Sequence, residues 1–337
     1  MELLLPVIVI VVGFVTLVWG ADKFVMGAAA LARGMGISPL VVGLTIVGLG
    51  TSMPEMLVSG IAAAQDSSGI GIGNALGSNI ANIGLVLGVA CLVRPICVPR
   101  SILRRELPIL LLTVIVASLL MVDGELLTGD GIVLASGLAV MLGWVVWEGI
   151  KQREVAPELT GAGEGEVESG LAPKDATFWL VLGLGVLLAS SHGLVWAATE
   201  LAVAFGVSDL AIGLTVIAIG TSLPELAASV VAALKDEHEL AVGNVVGSNM
   251  FNTLGVLALP GIIDPGAVDV ALVARDCPVM VGLTVLVILG GAFGGGSDQP
   301  GRLGRVAGGV FVVSWLVYLV SVYMVKADDI SLGFLGG

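Results

Sequence analysis

Long apolar runs separated by short charged or Gly/Pro-rich breaks dominate the chain. Ten of these runs have roughly the 20 residues that a helix needs to cross a membrane. They are Leu3–Trp19, Ile37–Ala64, Ile70–Val93, Leu107–Val122 and Gly131–Trp147 in the first half, and Phe178–Ala198, Leu210–Leu234, Leu240–Ile263, Val279–Phe293 and Val306–Val325 in the second. The pattern predicts an all-α polytopic membrane protein with ten transmembrane helices.

A polar motif interrupts the second apolar run of each half. Residues 48–55 read GLGTSMPE, and residues 218–225 read AIGTSLPE at an offset of 170 residues. At the same offset, the pattern GN-x-x-GSN-x-x-N occupies residues 73–82 and 243–252. Around these motifs 11 of 22 and 8 of 16 aligned positions are identical, so the chain contains an internal repeat.

Each copy of the repeat has an odd number of spans. Because five spans leave the chain on the opposite side of the membrane, the second copy must enter inverted. We therefore expect a first repeat over residues 1–148 and a second, inverted repeat over residues 177–337. Residues 149–176 between them are rich in Gly, Glu and Pro, which predicts a disordered acidic linker.

The composition agrees with a membrane protein. Hydrophobic residues make up 57% of the 337 residues and charged residues 12%, whereas soluble proteins carry roughly 25% charged residues. Glu2 replaces the basic start of a signal peptide, so we expect the first span to be retained. The three cysteines form no CxxC pair, which argues against a disulfide framework or a thiolate metal site.

Lys and Arg are unequally distributed between alternate loops. Twelve of the 14 fall in the loops after spans 1, 3, 5, 7 and 9, and Arg275 and Lys326 fall on the other side. Cytoplasmic loops carry the excess of basic residues. The distribution predicts that both termini lie outside and that the central linker is cytoplasmic, in a multi-pass protein of the plasma (inner) membrane.

Two glutamates, Glu55 and Glu225, lie inside apolar spans. Inserting a carboxylate there costs roughly 2.5–3.5 kcal/mol, so such a group normally faces a polar interior and marks an ion path. The preceding residues, Pro54 and Pro224, lack the N–H that would bond the carbonyl four residues earlier. Broken helices of this kind build ion sites near the membrane centre in inverted-repeat transporters. The sequence therefore predicts broken helices at an ion site.

The spacing places further oxygen donors near each glutamate. Thr51 and Ser52 precede Glu55 by four and three residues, and Ser78 lies four residues before Asn82, so each set shares a helix face. All are hard ligands, and calcium takes six to eight oxygens. A single hydroxyl in an apolar helix is as often structural, because it bonds the preceding turn. The glutamates have no comparable structural explanation.

Both motif pairs resemble the alpha repeats of the cation/calcium exchanger superfamily, in particular those of prokaryotic sodium/calcium exchangers. The resemblance covers most of both halves. It implies a secondary active antiporter, not an enzyme, that exchanges calcium for sodium by alternating access as spans 1 and 6 slide against a fixed core. It also implies that the ions are coordinated by Gly48, Thr51, Ser52, Glu55, Ser78, Asn82, Ala218, Thr221, Ser222, Glu225, Ser248 and Asn252.

The resemblance implies no cofactor, and it implies that the transported ions are Ca²⁺ and Na⁺. The expected partners are these ions and the lipid bilayer, without nucleic acid, and we expect a monomer. Two alternatives stay open. Potassium-dependent sodium/calcium exchangers carry Asp where this chain has Asn252, and calcium/proton antiporters carry GNATE in place of GTSxPE.

Overall fold

A computed structural model describes residues 3–160, 171–205, 218–294 and 300–335, which are mostly helical. The first half contains α1 (Leu4–Met35), α2 (Pro39–Thr51), α3 (Met53–Ala64), α4 (Ser68–Val93), β1 (Ile96–Val98), α5 (Leu107–Leu120), β2 (Glu125–Leu126) and α6 (Thr128–Thr160). The second contains α7 (Pro173–Ala204), α8 (Ala218–Thr221), α9 (Leu223–Leu234), α10 (His238–Ile263), β3 (Gly266–Ala267), α11 (Leu272–Phe293), β4 (Gly301–Leu303) and α12 (Arg305–Leu335).

Within the described residues, seven helices are long and apolar enough to cross a membrane, and the bent pair α2–α3 makes an eighth. The seven are α1, α4, α6, α7, α10, α11 and α12. Helix α5, with 14 residues, and α9, with 12 residues, are shorter. The chain is therefore a multi-pass helical membrane protein.

Several helices extend beyond the predicted spans. Helix α1 does not end at Trp19 but continues to Met35, and α6 continues to Thr160, into the region predicted to be a disordered linker. The charged residues Asp22 and Lys23 do not end α1: Asp22 pairs with Lys235 at 2.7 Å, and the helix continues because its next turns are buried at Phe24, Val25 and Ala28. Residues 161–170 of the predicted linker lie outside the described residues.

The structure repeats at the offset found in the sequence. Helices α3 and α4 have the same bounds as α9 and α10 after adding 170 residues. Wider π-helical turns recur at this offset as well, at Asn82–Leu87 and Asn252–Val256 and at Ile102–Glu106 and Leu272–Asp276. The duplication therefore extends to irregular details of the backbone.

Helices α4 and α10 form the centre of the molecule. Their apolar windows are 72% and 83% buried, against 28% for α1 and 17% for α12. The first part of each helix lies beside the second part of the other, so α4 and α10 run antiparallel. Asn79 of α4 donates a hydrogen bond of 2.9 Å to Thr253 of α10.

Helix α2 of the first half packs closely on α10 of the second half. A Cβ added to Gly243 would lie 3.0 Å from the carbonyl oxygen of Leu40, and one added to Gly247 would lie 2.8 Å from the Cα of Leu44. Small residues allow membrane helices to approach in this way. The contact brings the first polar motif beside the second GSN segment.

Helices α1 and α7 pack on one another along their lengths. Gly13 contacts Leu194, whereas Gly27 contacts the backbone of Leu180, so the two helices run in opposite directions. A Cβ at Gly27 would collide with the Leu180 nitrogen, so this contact requires glycine. The pair is more exposed than α4 and α10, with 28% and 33% of the two windows buried.

Two short antiparallel ribbons join the halves. Strand β1 pairs with β4, with Ile96 opposite Leu303, and β2 pairs with β3, with Leu126 opposite Gly266. Each ribbon takes one strand from each half. The halves are thus linked at two separate places outside the helical core.

Residues 235–238, the turn after α9 together with the first residue of α10, contact basic residues of two other segments at one end of the molecule. Arg33, at the end of α1, pairs with Glu237 at 2.8 Å, and Arg94, after α4, pairs with Asp236 at 2.6 Å. Exposed pairs of this kind add little stability. They show, however, that the end of α1, the segment after α4 and the 235–238 segment lie together on one face of the protein.

Candidate ion-binding site

Each half contains a helix break immediately before its glutamate. Ser52 separates α2 from α3 with φ −85° and ψ 1°, and Ser222 separates α8 from α9 with φ −88° and ψ 1°. Helices α2 and α3 are bent by 45°. The prolines that follow lie in the first turn of the new helix, where their missing N–H costs least. The two predicted breaks are therefore present in the backbone.

Glu55 and Glu225 each lie in the first turn of the helix that follows a break. Both glutamates are 1% exposed, so two carboxyl groups lie in the interior of the helical bundle. A helix N-terminus carries partial positive charge, which stabilises a carboxylate in its first turn. Two buried like charges nevertheless repel, so the arrangement favours a cation between or beside them.

Hydroxyl, amide and carbonyl groups of the first break contact polar side chains of α10, which belongs to the second half. The Thr51 hydroxyl lies 3.2 Å from the Asn244 side-chain oxygen and 3.3 Å from the Ser248 hydroxyl. It also lies 3.1 Å from the Val47 carbonyl, the local bond expected of a structural hydroxyl. The carbonyl of Gly48 accepts the Ser52 N–H at 3.1 Å and lies 3.5 Å from the Ser248 hydroxyl.

Several buried polar atoms near the breaks have no hydrogen-bond partner in the described part of the chain. Both side-chain amide atoms of Asn82 and of Asn252 are among them, as are the hydroxyls of Ser52 and Ser222. Leaving such a group unpaired costs about 1–3 kcal/mol, so a concentration of them is typical of a site that binds polar or charged ligands. Both carboxylate oxygens of Glu225 and one of Glu55 also lack a hydrogen-bond partner among the described residues.

The remaining predicted ligands differ in environment. Ser78 and Ser248 are buried, and Thr221 is half-buried. Ala218 begins α8, so its carbonyl lies at the start of that short helix. Among the described residues, no group of three or more His, Cys, Asp or Glu side chains has metal-binding geometry. Neutral oxygens must therefore complete any coordination by the two glutamates.

Two asparagines that sequence reasoning left out hold the glutamate segments in place. Asn74 donates to the backbone carbonyl of Glu55 at 3.1 Å and to the Ser59 hydroxyl at 3.0 Å. In the second half, Asn244 makes the equivalent contacts, to the carbonyl of Glu225 at 3.3 Å and to Ser229 at 2.9 Å. Asn74 and Asn244 recur at the 170-residue offset, and this recurrence is the feature of the sequence that could have identified them.

The carbonyl that Pro224 deprives of its helical donor is not left open. Ser191 of α7 donates a hydrogen bond of 2.8 Å to the carbonyl of Gly220. This hydroxyl supplies the donor that the missing N–H of Pro224 removes. One position earlier in α7, Ser190 donates to Thr16 of α1 at 2.8 Å. Helix α7 thus has polar contacts with both the second break and α1.

Two buried carboxylates, together with unpaired amides and hydroxyls in the described part of the same helical bundle, are suited to holding hard cations. This is the class of site that membrane transporters of ions contain. The chain matches the family model described as sodium/calcium exchanger protein over residues 5–147 and 176–324. It belongs to the sodium/calcium exchanger family, whose members are cation/calcium antiporters.

Full-length relatives agree with this assignment. The chain is 44% identical to the putative antiporter CaxA of Alkalimonas amylolytica, covering 94% of this chain and 98% of that protein. It is 42% identical to the inner membrane protein YrbG of Escherichia coli, covering 94% and 97%. A solved structure of the sodium-calcium exchanger NCX_Mj superposes with a TM-score of 0.80 at 31% identity, covering 94% and 98% of the two chains.

Proposed function

We propose that this protein is a secondary active antiporter that exchanges calcium for sodium across the membrane by alternating access. The observation that carries the proposal is the pair of buried glutamates, Glu55 and Glu225, each just after a helix break whose serine hydroxyl has no hydrogen-bond partner among the described residues. Two carboxylates balance one divalent cation, and hard oxygens suit both calcium and sodium. The name of the solved neighbour, a sodium-calcium exchanger, supports sodium as the coupling ion.

Calcium and sodium ligands are assigned to both motif pairs. Glu55 and Glu225 supply the charge, and Thr51, Thr221, Ser52, Ser222, Ser78, Ser248, Asn82, Asn252 and the carbonyls of Gly48 and Ala218 supply neutral oxygens. The close contacts of Thr51 with Ser248 and Gly48 with Ser248 support a shared site built by both halves.

The architecture that we propose has ten spans in two inverted repeats, residues 1–148 and 177–337, joined by the linker 149–176. Eight spans are the seven long helices and the α2–α3 pair. Helix α5 and the α8–α9 segment complete the count. The antiparallel arrangement of α4 and α10 supports inversion, because equivalent helices of inverted repeats run in opposite directions.

In this topology both termini lie outside and the linker is cytoplasmic, in the plasma (inner) membrane. The ion pairs that gather Arg33, Arg94 and the 235–238 turn support one strongly basic face. Basic residues mark the cytoplasmic side. The antiparallel pair α1–α7, which is more exposed than the core, is assigned the sliding motion that alternates access to the site.

Calcium uptake by proteoliposomes tests the proposal. Vesicles loaded with sodium, with potassium, or buffered to an acidic interior are diluted into medium with radioactive calcium. We expect rapid uptake with sodium inside and background uptake with potassium inside. Uptake driven by the acidic interior alone would support a calcium/proton antiporter instead, and a requirement for both sodium and potassium would support the potassium-dependent type.

A further inference from the structure

A polar cavity of about 480 Å³ lies beside the β1–β4 ribbon, apart from the ion-binding site. Three arginines line it: Arg94 after α4, Arg302 in β4 and Arg305 at the start of α12. They come from both halves of the chain. The cavity is thus assembled by the fold and is absent from any single segment of the sequence.

The positive charge of this cavity is only partly balanced. Arg94 pairs with Asp236 at 2.6 Å, and Arg305 Nε donates to the carbonyl of Leu92 at 3.1 Å. The guanidinium of Arg302 is exposed and has no ion-pair partner within the described ranges. Among the lining residues that the structure describes, three guanidinium groups accompany one carboxylate, which leaves an excess of positive charge for an anion.

A histidine adds a further unpaired group. His238 lines the cavity, and its Nε2 lies 3.5 Å from Asp236. Its Nδ1 is buried and has no hydrogen-bond partner in the part of the chain that the structure describes. His238 therefore adds an imidazole beside Asp236 in the lining, and the exposed guanidinium of Arg302 is the group best placed to meet an anion.

The rest of the lining is mainly apolar and includes the ends of two helices. Val93 ends α4 and Leu234 ends α9, and their side chains are 41% and 52% exposed. Both helices run into the membrane from this point. The lining therefore offers a ligand both guanidinium groups and exposed apolar side chains.

We propose that this cavity binds the phosphate group of an anionic phospholipid from the leaflet on the basic face. Arginine forks match phosphate oxygens in geometry and charge. Basic pockets between membrane helices bind anionic lipid headgroups in this manner. The adjoining exposed surface of Val93 and Leu234 favours a lipid over a free phosphate ion, because it accommodates the glycerol and acyl portions.

The purified full-length protein in detergent tests the proposal by native mass spectrometry with short-chain phosphatidylglycerol, phosphatidylcholine and inorganic phosphate. We expect phosphatidylglycerol to bind and Arg302→Gln to weaken this binding about tenfold, the loss expected for a charge-assisted hydrogen bond. Arg302→Lys should retain part of the affinity. Arg104→Gln is the matched control, because Arg104 is exposed and lies outside the cavity.

Three results would overturn the proposal. One is equal binding of phosphatidylcholine, which carries no net charge. Another is an equal loss for Arg104→Gln and Arg302→Gln, which would indicate non-specific attraction to the basic face. The third is displacement of the lipid by inorganic phosphate at equal concentration, which would assign the cavity to the free anion. Size-exclusion chromatography confirms that each variant is folded, and Arg305→Gln replaces Arg302→Gln if that variant is not.

Discussion

The hydroxyl of Ser191 in α7 donates a hydrogen bond of 2.8 Å to the carbonyl of Gly220, the oxygen that Pro224 leaves without a helical donor. The bond joins the helix that we propose to slide to the broken segment that precedes Glu225. The position equivalent to Ser191 in α1 is Ala21, which has no hydroxyl. The hydrogen bond between a peripheral helix and the broken segment in the second half therefore has no side-chain counterpart at the equivalent position, Ala21, in the first half.

Ser191→Ala is expected to lower the thermal stability of the detergent-solubilised protein. The variant leaves a buried carbonyl without a donor, which costs about 1–3 kcal/mol. Ser191→Thr should retain most of the stability because it keeps the hydroxyl. Ser321→Ala is the control, since the Ser321 hydroxyl bonds the local carbonyl of Tyr318. Equal melting temperatures for the two alanine variants would show that the Ser191 bond contributes nothing.

Glu55→Gln and Glu225→Gln are each expected to abolish calcium transport. Each change removes one of the two buried carboxylates that balance a divalent ion. Sodium-driven calcium uptake in proteoliposomes measures the effect. Glu125→Gln, which changes an exposed carboxylate in β2, should transport normally. Wild-type uptake by either buried variant would remove the basis for the assigned site.

Asn82→Ala and Asn252→Ala are expected to weaken sodium binding more than calcium binding. Both amides are buried without partners, and a neutral oxygen suits a monovalent ion that the carboxylates do not need to neutralise. Isothermal titration of each ion into the purified variants provides the comparison. An equal loss of affinity for the two ions would contradict this division of roles.

Single cysteines test the proposed topology. Lys174→Cys and Gly69→Cys place reactive thiols at exposed positions, at the start of α7 and of α4 respectively, in a background without Cys97, the cysteine that is not fully buried. A membrane-impermeant maleimide applied to intact cells should label Gly69→Cys alone. Lys174→Cys should react only after the membrane is opened. Labelling of both from outside would exclude the inverted arrangement.

The sequence predicted the features that depend on local chemistry. Proline after a Thr-Ser pair predicts a broken helix, and the structure breaks at Ser52 and Ser222. A glutamate in an apolar span predicts a buried carboxylate, and both glutamates are buried. These inferences rest on the missing N–H of proline and on the cost of placing a charge in lipid, which hold in any fold.

Contacts between distant segments could not be predicted in this way. The ribbons β1–β4 and β2–β3 contain two or three residues per strand, too few for a periodic pattern. The bond from Ser191 to Gly220 has no counterpart at Ala21, so the repeat gave no indication of it. The end of α1 was missed because Asp22 and Lys23 resemble a loop in sequence, whereas Asp22 pairs with the distant Lys235 and the helix continues to Met35.

The reversal potential of calcium flux tests the central claim most directly. If three sodium ions exchange for one calcium, one elementary charge crosses in each cycle, worth about 2.3 kcal/mol per 100 mV. In proteoliposomes clamped with potassium and valinomycin, we expect an inside-negative potential to favour calcium export. We also expect the reversal potential to move with both the sodium and the calcium gradient as a one-charge cycle requires. A calcium flux whose reversal is indifferent to the sodium gradient would contradict sodium/calcium exchange.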